Sequence, residues 1–389
     1  MKFTDNALKS RFLSACEGVT SGIVVIKTPE GETHRFGSSG EEAVLEIHDW
    51  AVVSAMAARG QIGLGETYVH GLWDTPSIES IIRVGLANRD TFADFDDATW
   101  LNSLKYQIID RVVRANSKSG SQKNIYAHYD VGNEFYQLWL DETMMYSSGI
   151  YNDPGDDLAA TQYRKNDRAL SRLTDKEGIL EIGCGWGGFA ERAADQGRYV
   201  TGITVSKAQR SYADARLDGR ADIQLRDYRD VKGKFDNIVS IEMIEAVGQR
   251  YWPSYFSAIK ENLAEGGRAM VQAITVPDDS FDYYAKGSDY IRQHVFPGGL
   301  LLSSAHIAQQ AKNVGLTVKD NFEFGQSYAL TCRTWSERLA AKTNKIKSLG
   351  YDDPFLRHWK FYLDICAAAF RWVTHRLFKL NWHTPRALE

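Results

Sequence analysis

One stretch constrains this chain more than any other: Gly178 to Gln209. An apolar run, Ile179 to Ile182, ends in a turn with glycine at 183, 185, 187 and 188, and a helical pattern opens at Phe189. Glycine turns sharply and leaves its backbone N–H groups uncovered, so the turn predicts a cradle for a nucleotide-like ligand. A second apolar run, Tyr199 to Thr204, predicts a strand parallel to the first, because a strand–helix–strand unit closes right-handed and leaves its ligand site at the strands' carboxyl ends. The glycine spacing, Gly-x-Gly-x-Gly behind the acidic Glu181, is not the Gly-x-Gly-x-x-Gly of dinucleotide folds.

The alternation continues downstream. Asp222 to Leu225, Phe235 to Ile241 and Gly267 to Thr275 read as three more strands separated by helices, which predicts an α/β fold: a mostly parallel sheet with helices on both faces. Upstream, residues 1–114 read as a smaller N-terminal α+β domain for lipid or partner docking. Gly22 to Lys27 and Thr33 to Phe36 suit a hairpin, Glu41 to Arg59 is mostly helical in pattern, and Gly60 to Glu66 carries glycines too densely for a helix. Pro76 to Leu86 has apolar residues at helical spacing behind Thr75 as cap. Residues 115–124 are polar and small, as a linker is, and residues 125–389 form the second domain. That domain opens with an aromatic, ionisable segment read as a cap over the ligand, and Pro277 to Ser304 is a tyrosine-rich insertion suited to a pocket wall. Trp359, Leu363, Cys366, Phe370, Val373, Leu377 and Leu380 recur as one amphipathic helix with a basic face, read first as core packing and second as a contact for anionic lipid.

With 389 residues, two domains are expected. A net charge of −4 argues against a nucleic-acid partner. No run of about eighteen apolar residues predicts a membrane span. The four cysteines include no Cys-x-x-Cys pair, so neither a disulfide framework nor a metal site is indicated, and a cytoplasmic location fits.

Several motifs, in order, carry a resemblance. The turn Glu181-Ile-Gly-Cys-Gly-Trp-Gly-Gly resembles the first motif of class I S-adenosylmethionine (SAM) methyltransferases. Together with His128-Tyr-Asp-Val-Gly-Asn, Gly202-Ile-Thr-Val-Ser-Lys-Ala-Gln, Asp227-Tyr-Arg-Asp, Ile244-Glu-Ala-Val-Gly, Phe296-Pro-Gly-Gly and Tyr362-Leu-Asp-Ile-Cys, it is similar to the cyclopropane fatty acid synthase family. That resemblance implies a SAM cofactor held by Tyr146, Ser147, Gly183, Gly185, Gly187, Thr204, Gln209, Asp227 and Tyr228. It implies methyl transfer to the cis double bond of an unsaturated phospholipid acyl chain through a carbocation, which Tyr328 and the tyrosines at 283, 284 and 290 could stabilise. It further implies a bound bicarbonate as ring-closing base, near Glu245, Tyr328 and Cys366, with His128 helping the cap to close. A homodimer working at the inner face of the membrane is implied as well.

Two positions depart from the family pattern. Ser148 stands where a cysteine is usual and Gln272 where a histidine is usual. Both can hydrogen-bond an anion, but neither titrates near neutrality. Two endings therefore stay open: a cyclopropane, or a methyl-branched or methylene-bearing chain. A methyltransferase acting on nucleic acid or a small molecule is a further alternative, although Ser240-Ile-Glu-Met-Ile-Glu lacks the Asn/Asp-Pro-Pro-aromatic signature of many nucleic-acid amino methyltransferases.

Overall fold

The computed structural model describes residues 2–96, 131–371 and 376–383. The expected linker and His128 lie outside them. In the larger sheet β5 (Gly178–Ile182), β6 (Tyr199–Thr204), β7 (Asp222–Leu225), β8 (Phe235–Ile241) and β9 (Leu263–Val276) run parallel, and β10 (Leu302–Ser303) pairs parallel with the end of β9. The strand order is β11-β12-β9-β8-β5-β6-β7, with β11 (Thr317–Glu323) and β12 (Arg376–His383) antiparallel at one side.

Successive strand residues enter opposite cores, the period-2 consequence of a pleated strand. Leu180, Ile182, Ile238, Ala269 and Val271 pack with helices Trp252–Asn262 and Ser304–Asn313. Ile179, Val239 and Met270 pack with helices Leu158–Leu170, Gly188–Asp195 and Lys207–Leu217. Both faces are covered, as expected for a mostly parallel sheet.

The N-terminal block has its own sheet, ordered β2-β1-β3-β4: β1 (Gly22–Lys27), β2 (Thr33–Ser39), β3 (Glu42–Ile47) and β4 (Trp73–Asp74). The hairpin stands, but the expected helix from Glu41 does not. Glu42–Ile47 pairs parallel with β1, burying Ala43, Leu45 and Ile47 at period two, and the helix starts only at Ala51. The glycine-dense stretch is helical too, Gln61–Val69. A Cβ on Gly63 would lie 2.2 Å from the Ala55 carbonyl oxygen, and one on Gly65 would lie 2.4 Å from the Tyr290 ring. Those glycines serve close approach at the expense of helix propensity. The next helix, Ile78–Ala87, is capped by Ser77 and not by Thr75: the Ser77 hydroxyl accepts from the Ser80 amide at 3.1 Å.

The C-terminal expectation is also corrected. Helix Asp353–Arg371 is followed by Leu377 and Leu380 in β12, between β9 and β11, while Val373 lies outside the described residues. A helix and a strand placed end to end shared one apolar rhythm. The helix is a packing element: Trp359, Phe361 and Leu363 are buried against helix Gly325–Ala341 and the N-terminal block. Arg357 of this helix donates to the Asp74 carboxylate at 2.8 Å and to the Trp73 carbonyl at 2.8 Å. One apolar core thus runs from Tyr68 and Trp73 through Phe361 and Trp359 to Trp139 and Trp335. Strand β9 begins at Leu263, earlier than the expected Gly267, and a register irregularity opposite Phe235–Asn237 absorbs the turn-like residues.

Candidate active site

The glycine turn is shaped by the backbone. Gly183 (φ 83°) and Gly187 (φ 84°) occupy the left-handed region that disfavours a Cβ. The Gly183 and Cys184 amides both donate to the Ile203 carbonyl at 3.0 Å, fastening the turn to β6, and Gly187 is the N-cap of helix Gly188–Asp195. A Cβ on Gly185 would meet nothing within 4 Å, so the turn's tip borders open space, the shape a cofactor backbone needs.

At the carboxyl end of β6, Thr204 Oγ1 donates to Gln209 Oε1 at 2.9 Å, so the two expected ribose-side residues sit together. Beyond β7, both Asp227 carboxylate oxygens accept from Arg229, at 2.7 and 2.6 Å, and the Tyr228 ring is buried edge-on to Tyr255. Tyr146 donates its hydroxyl to Tyr362 at 3.0 Å and packs against Trp335. The cap segment is pinned at Gly149, whose amide donates to Thr331 Oγ1, and at Tyr151, whose amide donates to Ser327 Oγ.

Beneath the cap lies a side chain that sequence reasoning missed. Lys165 is fully buried in helix Leu158–Leu170 and donates to Ser147 Oγ at 2.7 Å and to Gln162 Oε1 at 2.5 Å. Burial pulls its ammonium down to about 8, against the opposing pull of Glu242, Asp141 and Glu181. Glu181, buried near the end of β5, is pushed up to about 8 by burial, and its Oε2 has no hydrogen-bond partner among the described residues.

The second is Glu242, the first residue past β8, which the sequence presents only as a neighbour of Glu245. Its Oε1 accepts from the Ser148 amide at 3.1 Å and from Gln272 Nε2 at 2.7 Å, and its Oε2 accepts from the Tyr328 hydroxyl at 2.7 Å. Its backbone holds φ at 49°, rare for a non-glycine residue, with its amide donating to the Gln272 carbonyl at 2.9 Å. Burial pushes its carboxyl up, opposed by the Tyr328 hydrogen bond, the Lys165 charge and the Gln272 hydrogen bond.

Three expected residues, Ser148, Gln272 and Tyr328, thus converge on a fourth. Ser148 takes part through its backbone, since its hydroxyl donates to the Gly149 carbonyl at 2.9 Å. Glu245 lies three residues past Glu242, in the short 3-10 turn Ile244–Ala246. Its Oε1 accepts from the Ile274 amide at 2.5 Å, its Oε2 is buried without a hydrogen-bond partner among the described residues, and burial together with the Glu242 charge pushes its carboxyl up to about 8. Tyr328 stacks on Phe370 with ring centroids 4.2 Å apart. Cys366 is half-buried beside Tyr328, Cys332 and Tyr362, whose ionisations are pushed up mainly by burial and further by Cys366. Two other tyrosines expected near the substrate lie elsewhere: Tyr283 is 54% exposed, and the Tyr290 hydroxyl bonds His358 at 2.7 Å.

The available sequence signal for Glu242 was two glutamates three residues apart after a buried strand. For Lys165 there was none, because Thr161, Gln162, Lys165 and Asn166 read as the polar side of an amphipathic helix although all four are buried.

The model of the mycolic acid cyclopropane synthetase family matches residues 116–380. The chain belongs to this family. A tuberculostearic acid methyltransferase of Mycobacterium tuberculosis is 34% identical over 336 residues, spanning 82% of this chain and 78% of the relative. A cyclopropane-fatty-acyl-phospholipid synthase of Escherichia coli is 32% identical over 320 residues, spanning 80% of each. The solved mycolic acid cyclopropane synthase complexed with SAH and CTAB superposes with a TM-score of 0.63 at 27% identity, covering 67% of this chain and 97% of that one. As a member of the family the protein is a SAM-dependent methyltransferase that transfers a one-carbon unit to lipid acyl chains. Among the described residues no helix is long and apolar enough to cross a membrane.

Proposed function

We propose that the protein methylates the cis double bond of unsaturated phospholipid acyl chains. The observation that carries this reading is a carboxylate ringed by hydrogen-bond donors, faced by aromatic rings and adjoining the glycine cradle. In that reading Gly183, Gly185 and Gly187 shape the cofactor's backbone contacts. Thr204 and Gln209 hold its ribose, Tyr146 and Ser147 its methionine end, and Asp227 and Tyr228 border its adenine. SAM supplies an electrophilic methyl group when bound. An alkene is a weak nucleophile, so the residues work by holding it in line with that methyl group in a water-poor interior. The face of Tyr328 can stabilise the carbocation left on the chain.

The cyclopropane ending is the first reading. A second, a methyl-branched or methylene-bearing chain, is favoured by Gln272 in place of a titrating imidazole, and the matched relatives' names include both a methyltransferase and a cyclopropane synthase. A peripheral, homodimeric enzyme at the membrane surface, with residues 1–114 as docking block, completes the proposal. Mass spectrometry and proton NMR of lipids incubated with the protein and SAM test it. A gain of one CH₂ with upfield cyclopropyl protons establishes the first ending, the same gain with vinylic protons establishes the second, and no gain overturns the substrate assignment.

A further inference from the structure

The family resemblance brings bicarbonate as ring-closing base, but the residues present do not fit it. The three donors that would hold the anion, the Ser148 amide, Gln272 Nε2 and the Tyr328 hydroxyl, already converge on the Glu242 carboxylate. A carboxylate presents the same planar O–C–O acceptor pair as bicarbonate, and a second anion beside it would meet like charge. From this geometry we infer that Glu242 is the protein's own base for the deprotonation step, taking the place of a diffusible anion. The inference rests on the acyl-chain reading above.

The position of Glu242 supports the assignment. A Cβ on Gly183 would lie 3.1 Å from Met243 Cγ, so the residue next to Glu242 leans directly on the cofactor turn. Ser148, bonded to Glu242 through its amide, follows Ser147, which is held by Lys165. The left-handed backbone at 242 is a strained conformation held where a carboxylate is needed, and glycine would adopt it without cost.

The step balances as follows. The alkene π pair forms a C–C bond to the sulfonium methyl, the S–C pair returns to sulfur to give S-adenosylhomocysteine, and the other alkene carbon becomes cationic. A Glu242 oxygen then takes a proton from the new methyl group, and the freed C–H pair closes the three-membered ring. If the proton leaves a neighbouring chain carbon, the pair forms a double bond instead. In either case Glu242 becomes a carboxylic acid and releases its proton to solvent before the next cycle. No oxidant or reductant is needed.

The test compares the full-length wild type with Glu242→Gln and Glu242→Gly. Turnover of cis-monounsaturated phospholipid vesicles is measured in CO₂-free buffer with and without bicarbonate, and binding of ¹³C-bicarbonate is followed by NMR. Expected are wild-type turnover indifferent to bicarbonate, a loss of about 100-fold or more in Glu242→Gln, unchanged calorimetric affinity for S-adenosylhomocysteine, and bicarbonate binding in Glu242→Gly alone. Unchanged cofactor affinity also shows that the variants fold. Wild-type turnover that falls without bicarbonate, wild-type binding of ¹³C-bicarbonate, or Glu242→Gln turnover within tenfold of wild type overturns the inference. If the wild type leaves these lipids unmodified, the substrate reading fails on its own, and the NMR comparison still decides whether Glu242 fills the anion's place.

Discussion

The glycine cradle and the Glu242 cluster lie at the carboxyl ends of neighbouring strands, β5 and β8, yet they are built from opposite materials. The cradle uses backbone groups from one short stretch, set by glycine conformations and fastened to β6 by two backbone hydrogen bonds. The Glu242 cluster uses a carboxylate and donors from Ser148, Gln272 and Tyr328, which lie 94, 30 and 86 residues away in sequence. The first is a local conformation. The second exists only when the whole domain has folded. Damage to the cradle should therefore remove binding and turnover together, whereas damage to the cluster should remove turnover alone.

The largest effect expected on the cradle side is from Gly188→Val. A Cβ there would lie 2.4 Å from the Thr143 carbonyl oxygen and 2.8 Å from Met145 Cγ. Overpacking of this kind costs roughly 2–3 kcal/mol, which weakens S-adenosylhomocysteine binding by about 30- to 150-fold when drawn from affinity. Calorimetry showing wild-type affinity would break the comparison.

On the cluster side, Tyr328→Phe removes one of the three donors that face the Glu242 carboxyl. Hydrogen bonds to charged groups are worth roughly 1.5–3 kcal/mol, so turnover should fall by about 10- to 100-fold with S-adenosylhomocysteine affinity unchanged. A matching loss of affinity would mean that cradle and cluster are one unit.

Lys165→Met sharpens the link between the two regions, since Lys165 holds Ser147 and its charge also opposes the upward push of burial on the Glu242 carboxyl. Glu242 must be ionised to accept a proton, so turnover falls as pH drops through its pKa. Removing the opposing charge raises that pKa, and the acid limb of the pH–rate profile should move up by roughly one pH unit. Tyr328, Gln272 and Glu245 still face the carboxylate in the variant, so a limb that stays put would assign it to another group.

The smallest kinetic effect is expected from Glu245→Gln. Burial, with the Glu242 charge, pushes the Glu245 carboxyl up to about 8 from an ordinary 4.5, which favours its neutral form near pH 7, and a neutral amide should cost less than about tenfold in turnover. Between those two pH values the folded state binds a proton that the unfolded state has released, so Glu245 makes stability fall as pH rises from about 4.5 to about 8. Chemical denaturation at pH 5 and pH 8 should show a smaller fall in the variant. Some fall should persist, because Glu181 is shifted the same way by its own burial.

Legibility followed locality. Strands β5 to β8, the hairpin of β1 and β2 and the glycine turn were readable because apolar runs and glycine spacing act over a few residues. The reading failed where a residue's reason lay across the molecule. Gly63 and Gly65 look like helix breakers until Ala55 and Tyr290 are seen against them. Leu377 and Leu380 look like a continuing helix until β9 is found pairing with them. Glu242 read as a bystander to Glu245, because nothing in Glu-Met-Ile-Glu says which carboxylate will meet Ser148, Gln272 and Tyr328.

By itself the sequence determined the α/β alternation, the glycine cradle and the set of residue types from which a site could be assembled, since these follow from backbone conformation and local hydrophobic period. Only the tertiary structure decided which carboxylate collects the donors and that an ammonium, Lys165, is buried beneath the cap. Charge and hydrogen-bond satisfaction depend on burial and on partners far away in the chain, and neither is a property of a residue's neighbours in sequence.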